Sequence, residues 1–261
     1  MRKTQIRGFG AAPLVFLSLA LAYGDRSVEY ENAHYAAVVS VGRGGLLERV
    51  VSKATGETLL EGMTLYTDFG IYDERGFVGT SEKGAGDLNS HREGEVLVVT
   101  AEGKLVGDPA EGKPPIRYAA EFRFDQGPEI HAVVKVRPEL DRPQARGFLA
   151  LMWVAPAMER WRIRTIDGLL RHVYRQGEEA QRSYSRELPM DPVQPLIAAT
   201  TAGGAELRVE NIKWSGTPAF TGPVVHGRAF FLCFLDGIPR DIRAGEEATV
   251  SFDLIAGRAE R

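Results

Sequence analysis

The sequence predicts an all-β protein, built as one large sandwich of two extended antiparallel sheets. Apolar and polar residues alternate with a period of two over most of the chain from residue 28 onward, which is the pattern of half-buried strands. Turn sequences such as "GRGG", "ATGE", "DQGP" and "LDGIP" separate roughly a dozen such runs. No stretch keeps a helical period over several turns, and the 261 residues exceed an immunoglobulin-like unit of about 100 residues.

The first residues have the pattern of a signal peptide. Arg2, Lys3 and Arg7 form a basic start, an uncharged apolar run follows from Ala11 to Ala22, and the run ends in the small-residue site Ala20-Leu21-Ala22. The run is too short for a membrane span, which needs about 20 apolar residues. A buried N-terminal helix is the alternative interpretation. We expect residues 1–22 to be removed and residues 23–261 to form a single secreted or periplasmic domain.

The charge balance argues against nucleic acid as a partner. The chain has 32 Lys and Arg, 35 Asp and Glu and a formal net charge of −3. Loss of residues 1–22 takes away three positive charges and no negative ones, so the net charge becomes −6. Cys233 is the single cysteine and lies in "AFFLCFL", where a buried apolar role is expected rather than a reactive thiol.

The first strands fold back on one another. Residues 34–62, "HYAAVVSVGRGGLLERVVSKATGETLLEG", read as strand, glycine turn, strand, Thr55-Gly56 turn and third strand. Gly44 and Gly45 can adopt positive φ without a Cβ clash, so two paired strands can reverse tightly there. The stretch therefore predicts a meander that forms the first edge of a large sheet.

Later strands show the same alternation, interrupted by long polar segments. Apolar faces recur in "IRYAAEFRF", after the "DQGP" turn, and in "TVSFDL" near the C-terminus. Residues 73–95 and 103–115 are rich in Gly and charge, and we expect them to be surface loops. Residues 176–187 fit either a short helix or a charged loop.

Both ends of the chain carry strand and turn motifs. At the C-terminal end the motif is "IRAGEEATVSFDLIAG", and at the N-terminal end the residues are Glu31-Asn32, Tyr35, Gly44-Gly45, Leu47, Lys53, Thr55-Gly56-Glu57 and Leu59-Leu60. These residues resemble the first and last strands of galactose mutarotase-like "supersandwich" domains, as found in aldose mutarotases, the C-terminal regions of family 38 α-mannosidases and polysaccharide lyases. The resemblance implies a supersandwich fold and a carbohydrate ligand. The stretch "NAHYA" in the first strands lacks the "NH-x-YFN" pattern of the mutarotases, so no catalytic residue is carried across.

An arginine-rich strand is the main candidate binding element. In "ERWRIRTIDGLLRHVYRQ", strand geometry puts one set of arginines on the face opposite Trp161 and Ile163. Guanidinium groups in a row suit carboxylates or sulfates of acidic polysaccharides; the alternative is a solvated face paired with acidic residues. Trp153 is expected in the core, whereas Tyr174 and Trp214 could stack on sugar rings. The substrate-binding candidates are Arg160, Arg162, Arg164, Arg171, Arg175, Tyr174 and Trp214.

The five histidines show no metal-ligand spacing, so we predict neither a metal nor another cofactor. His91, His172 and His226 are weak catalytic candidates, and His131 falls on the polar face of its strand. The favoured function is an exported carbohydrate-binding protein, with acidic polysaccharide as a candidate ligand. The alternatives are a sugar epimerase or polysaccharide lyase or hydrolase, using His or Tyr with a carboxylate, and a cell-envelope interaction protein. The oligomeric state is left open.

Overall fold

The computed structural model describes residues 26–70, 78–79, 86–105, 115–165, 167–173, 197–215, 218–226, 229–236 and 238–259. Within these ranges the chain forms eighteen strands, one short 3₁₀ turn (Val41–Arg43) and no α-helix. All strand pairs among these described residues are antiparallel and belong to two nine-stranded sheets, which confirms the predicted two-sheet sandwich. The predicted signal peptide and the segment 176–187 lie outside the described residues. No helix of these ranges is long and apolar enough to cross a membrane.

The first sheet contains the N-terminal meander. Its strand order is β1 (Ser27–Glu31), β2 (Tyr35–Ser40), β3 (Leu46–Ser52), β4 (Thr58–Gly70), β10 (Arg142–Val154), β16 (Ala229–Asp236) and β15 (Pro218–His226), with β5 (Val78–Gly79) paired to β4 and β17 (Arg240–Ile242) paired to β10.

The second sheet collects the alternating strands of the middle and C-terminal parts. Its order is β12 (Gly168–Val173), β11 (Met158–Thr165), β13 (Ile197–Thr201), β14 (Ala205–Trp214), β18 (Ala248–Arg258), β9 (Glu129–Pro138), β8 (Ile116–Phe124), β7 (Val96–Leu105) and β6 (Asp87–Glu93).

The predicted meander is confirmed, with β1 at the edge of the first sheet. Gly44 and Gly45 have φ of 71° and 70°, and Gly56 has φ of 72°. These are left-handed values that a Cβ would strain. The Gly56 N–H donates to the Ser52 carbonyl at 2.8 Å, which closes the second turn.

The core lies between the inner faces of the two sheets. The predicted alternation is confirmed in β8, β9 and β18, where Phe122, Val134 and Phe252 are fully buried. Phe230 of the first sheet packs between Trp153 and Trp161, with ring centroids 4.5 and 4.9 Å apart. The Phe230–Trp161 contact joins the two sheets, because Phe230 belongs to β16 of the first sheet and Trp161 to β11 of the second.

The expectation of a surface loop over residues 73–95 is wrong for its C-terminal part, because Asp87–Glu93 forms the edge strand β6. Only Leu88 of this strand is buried, so the sequence shows no apolar face. Residues 103–105, expected in the second loop, belong to β7.

A set of hydrogen bonds, here called the Asn32 clamp, ties β1 and β2 to the β8–β9 turn of the other sheet. The Asn32 amide donates to the carbonyls of Asp125 (2.9 Å) and Gly127 (2.8 Å). The Tyr30 and Tyr35 hydroxyls donate to the carbonyls of Asp125 (2.5 Å) and Glu129 (3.1 Å). The Asn32 side-chain oxygen accepts from two backbone N–H groups of its own turn. Burial raises the pKa of both tyrosines, so they stay neutral donors.

A second connection between the sheets starts from Glu57 in the β3–β4 turn. Its carboxylate accepts hydrogen bonds from the Thr201 hydroxyl (2.5 Å) and from the Gly203 N–H (3.0 Å) of the β13–β14 turn. Burial raises the pKa of Glu57, but the hydrogen bonds from Thr201, Thr55 and Gly203 outweigh it, so the pKa lies below the usual 4.5. The Lys53 N–H also donates to the His34 carbonyl at 2.9 Å, which places both connections at one end of the sandwich.

We expect Asn32→Asp to lower the free energy of unfolding by roughly 1–3 kcal/mol, because it keeps the acceptor and removes both amide donors from two partly buried hydrogen bonds. Urea denaturation monitored by tryptophan fluorescence measures this. Asn89→Asp on the exposed edge strand β6 is the matched control and should change the value by no more than about 0.5 kcal/mol. Equal effects of the two substitutions would contradict a specific role for the clamp.

We expect Glu57→Gln to destabilise the protein at neutral pH and to matter less in acid. A carboxyl whose pKa is lowered by folding stabilises the native state above its unfolded pKa, and this contribution disappears as pH falls through the lower folded pKa. The stability difference between wild type and Glu57→Gln should therefore stay constant from pH 7 to about 5 and shrink below about 4.5. Urea denaturation across this range measures it, and a difference that does not depend on pH would contradict the assignment.

Candidate functional site

The arginine-rich strand is β11, and its side chains alternate as predicted. Trp161 and Ile163 are buried in the core, whereas Arg160 is exposed and Arg162 and Arg164 are half-buried on the opposite face. These arginines therefore lie on the outer face of the second sheet. Backbone register places Arg171 opposite Arg162 and His172 opposite Trp161.

Arg162 is engaged with a buried carboxylate. Its Nη2 lies 2.5 Å from Oε2 of Glu206, whose side chain is 5% exposed. Glu206 also accepts from the Thr200 hydroxyl at 3.1 Å, and Arg208 bridges Glu206 and Glu210 at 3.8 and 3.4 Å. A buried carboxylate needs such partners, because an uncompensated buried charge is strongly destabilising. Arg162 is thus ion-paired with a carboxylate of its own sheet. Binding of acidic sugars by β11 stays a prediction.

The remaining predicted site residues are Trp214, His226, Tyr174 and Arg175. Trp214 is half-buried and stacks on Phe234 with ring centroids 5.3 Å apart, and its indole N–H is buried. His226 ends β15. Tyr174 and Arg175 lie outside the described residues. Their roles in binding or catalysis stay predictions.

Two histidines of the second sheet meet carboxylates on its outer face. His91 Nε2 lies 3.2 Å from Oε1 of Glu93. His131 Nδ1 lies 2.6 Å from Oδ1 of Asp253, and the other Asp253 oxygen accepts from the Asn211 amide at 2.6 Å. Asn211 has a positive φ of 53° where the β14–β18 register is irregular. His131 and Asp253 are 122 residues apart, so no local sequence signal pairs them.

A groove of about 350 Å³ crosses strands β1 to β4 on the outer face of the first sheet. None of the sequence motifs described above predicts this groove. Three carboxylates, one guanidinium, two hydroxyls and one apolar side chain line it: Ser27, Glu29, Val38, Ser40, Glu48, Arg49 and Glu61. This mixture of donors, acceptors and an apolar surface makes the groove the candidate site.

An irregularity in the β2–β3 pair shapes the groove. The register shifts between Val38 and Val39, which leaves Glu48 as an extra residue of β3. Glu48 and Arg49 are therefore both exposed, although consecutive strand residues normally point to opposite faces. Arg49 is in register with Val38 on one side and with Glu61 on the other.

The charged groups of the groove have no partners in the part of the chain that the structure describes. No hydrogen bond or ion pair within that part involves the side chains of Glu29, Glu48, Arg49 or Glu61. This differs from the second sheet, where Arg162 neutralises Glu206. The groove can therefore offer these side chains to a ligand without breaking an existing contact.

One buried hydroxyl also faces the groove. Ser40 is 3% exposed, and its Oγ accepts from the Gly42 N–H at 3.1 Å. Among the described residues its hydroxyl proton has no acceptor, so it can donate to a bound molecule.

The described residues contain no cluster of metal-ligating side chains and no reactive thiol. No group of three or more His, Cys, Asp or Glu side chains there could hold a metal ion. Cys233 is buried, as expected, and burial raises the pKa of its thiol to about 12. The thiol therefore stays protonated at neutral pH.

Comparison with known proteins gives structural neighbours only. No family model and no curated protein sequence matches the chain. A galactose 1-epimerase from Lactobacillus acidophilus has a TM-score of 0.51 at 10% identity, covering 92% of this chain and 100% of that one. A GalM/aldose epimerase homologue from C. elegans has a TM-score of 0.53 at 10% identity, covering 91% and 100%.

A TPR-domain containing protein from Parabacteroides distasonis has a TM-score of 0.54 at 11% identity and covers 90% of this chain. This chain spans about half of that protein, 47% of its length. Identities this low show the fold and no more. The chain has a galactose mutarotase-like β-sandwich fold, as its N-terminal residues predicted.

Proposed function

We propose that the protein is an exported carbohydrate-binding β-sandwich and that a glycan binds in the groove across β1 to β4. The observation that carries this proposal is a concave surface lined by charged side chains that have no partner among the residues the structure describes. The fold supports it, since two structural neighbours are named as a galactose 1-epimerase and an aldose epimerase homologue. The basic and apolar N-terminal residues support export; N-terminal sequencing of the mature protein tests this part, with Tyr23 expected first.

The chemistry of the groove suits sugar hydroxyls, which both donate and accept hydrogen bonds. The Arg49 guanidinium offers a fixed fork of N–H donors, and Glu48 and Glu61 offer acceptors. Ser40 adds a buried donor, and Val38 offers an apolar surface to the C–H face of a pyranose ring. A volume of about 350 Å³ lies within the range of small-molecule sites and suits a mono- or disaccharide.

We expect Arg49→Ala to weaken glycan binding about tenfold or more, because hydrogen bonds from a charged donor contribute about 1.5–3 kcal/mol each. A glycan array followed by calorimetry on the strongest hits measures this. The matched control is Arg92→Ala, an exposed arginine of the edge strand β6 in the other sheet, which should bind like wild type. Retention of wild-type affinity by Arg49→Ala would overturn the groove as the site. Binding to no glycan would favour a cell-envelope interaction protein.

A more specific proposal is that acidic polysaccharides bind to the arginines of β11. Acidic glycans on the same array test it. Arg160 is exposed, and its loss leaves the Arg162–Glu206 pair intact. If β11 binds acidic chains, Arg160→Ala weakens that binding and leaves binding to neutral glycans unchanged. Arg162→Ala is the poorer probe, because it removes a partner of the buried Glu206 and lowers stability as well.

The His131–Asp253 pair favours one second candidate, a carbohydrate-active enzyme. In the tautomer whose Nδ1–H donates to Asp253, the other ring nitrogen of His131, Nε2, can act as a base. If the protein interconverts sugar anomers or epimers, His131→Asn should slow the reaction at least about 100-fold. Polarimetry of freshly dissolved reducing sugars measures this, and a rate equal to the uncatalysed one would exclude that activity for the sugars tested.

A further inference from the structure

The groove carries unequal amounts of the two charges. Glu29, Glu48 and Glu61 line it together with one arginine, Arg49. No described side chain pairs with any of the four. A ligand that enters the groove therefore meets an excess of negative charge and one guanidinium fork. This favours a bound group that is positively charged and disfavours a carboxylate or sulfate.

The register locates the excess of negative charge within the groove. Glu29 of β1 is in register with Val38 of β2, which is in register with Arg49 of β3. Glu48 is the extra residue of β3 beside Arg49. Strands lie about 4.8 Å apart, so Glu29 and Arg49 stand about two strand spacings from each other, a distance that one sugar residue can bridge.

Arg49 is the one guanidinium among the groove's lining residues, which include three carboxylates. It is in register with Glu61 of β4 and next to Glu48 in β3, whereas Glu29 of β1 lies beyond Val38. One positive charge does not balance three negative ones, so we expect a cation to bind toward Glu29 and Glu48 and hydroxyl groups to bind at Arg49.

We propose that the groove selects glycans that carry a free, protonated amine, such as glucosamine units, over their N-acetylated and uronic acid counterparts. This inference rests on the proposed function, because it names the sugar class for the same groove. The ammonium group binds toward Glu29 and Glu48, and ring hydroxyls bind Arg49 and Ser40. An acetylated nitrogen keeps the hydrogen bonds but loses the charge, and a uronic acid meets like charges.

The experiment compares three oligosaccharides of equal length on the full chain: a chitosan oligomer, a chitin oligomer and an oligogalacturonate. Calorimetry at pH 6 and low salt gives the dissociation constants, since the sugar amine is largely protonated and exposed carboxylates are ionised there. We expect the amine-bearing oligomer to bind about five- to tenfold more tightly than the acetylated one, and the oligogalacturonate to bind most weakly. The preference should shrink at high salt.

Glu48→Gln separates charge from shape, because it keeps the size and an acceptor oxygen. We expect it to weaken binding of the chitosan oligomer more than binding of the chitin oligomer, so that most of the preference for the amine is lost. Glu102→Gln, on an exposed position of β7, is the matched control and should leave the preference intact. Equal affinities for amine and acetylated oligomers in wild type, with binding still lost in Arg49→Ala, would overturn this inference and leave the proposed function standing. Binding of none of the three, with no glycan bound on the array, would overturn both.

Discussion

The alignment of the two sheets depends on the Asn32 clamp. Apolar packing between sheets is strong but not directional, so it does not by itself set how one sheet lies on the other. Both polar groups of the Asn32 amide form hydrogen bonds. The nitrogen donates to two carbonyls of the β8–β9 turn, and the oxygen accepts from the backbone of the β1–β2 turn. Glu57 adds a second directional connection at the same end of the sandwich. The groove depends on this end, because β1 and β2 supply Glu29 and Val38 to it.

Sequence patterns predicted the fold where burial is one-sided. In β8, β9 and β18 one face enters the core and the other meets solvent, so alternation is visible in the residues themselves. The same rule fails in β6, where Leu88 alone is buried and both faces are polar. An edge strand with so little burial is held by backbone hydrogen bonds to β7, which leave no trace in side-chain polarity.

The candidate site was less predictable, because its geometry depends on pairing between distant strands. Alternation placed Arg162 on the outer face, but its partner Glu206 is 44 residues away. His131 was placed on a polar face without Asp253, which is further still. The groove depends on a local irregularity: regular alternation would put Glu48 and Arg49 on opposite faces, and the register shift after Val38 turns both outward. A bulge of this kind is a property of two paired strands, so one strand's sequence does not reveal it.

The two outer faces use their charges differently, and the difference follows from burial. Glu206 is almost fully buried and must be neutralised where it stands, so Arg162 and Arg208 serve the fold first. Glu48 and Arg49 are exposed, and water solvates them at little cost, so the fold gains little from pairing them. Exposed charges that stay unpaired inside a concave surface keep their full hydrogen-bonding capacity for a ligand. The better place for a ligand is therefore the groove, where Arg49 has no partner within the described ranges, and not β11, where arginines are most numerous.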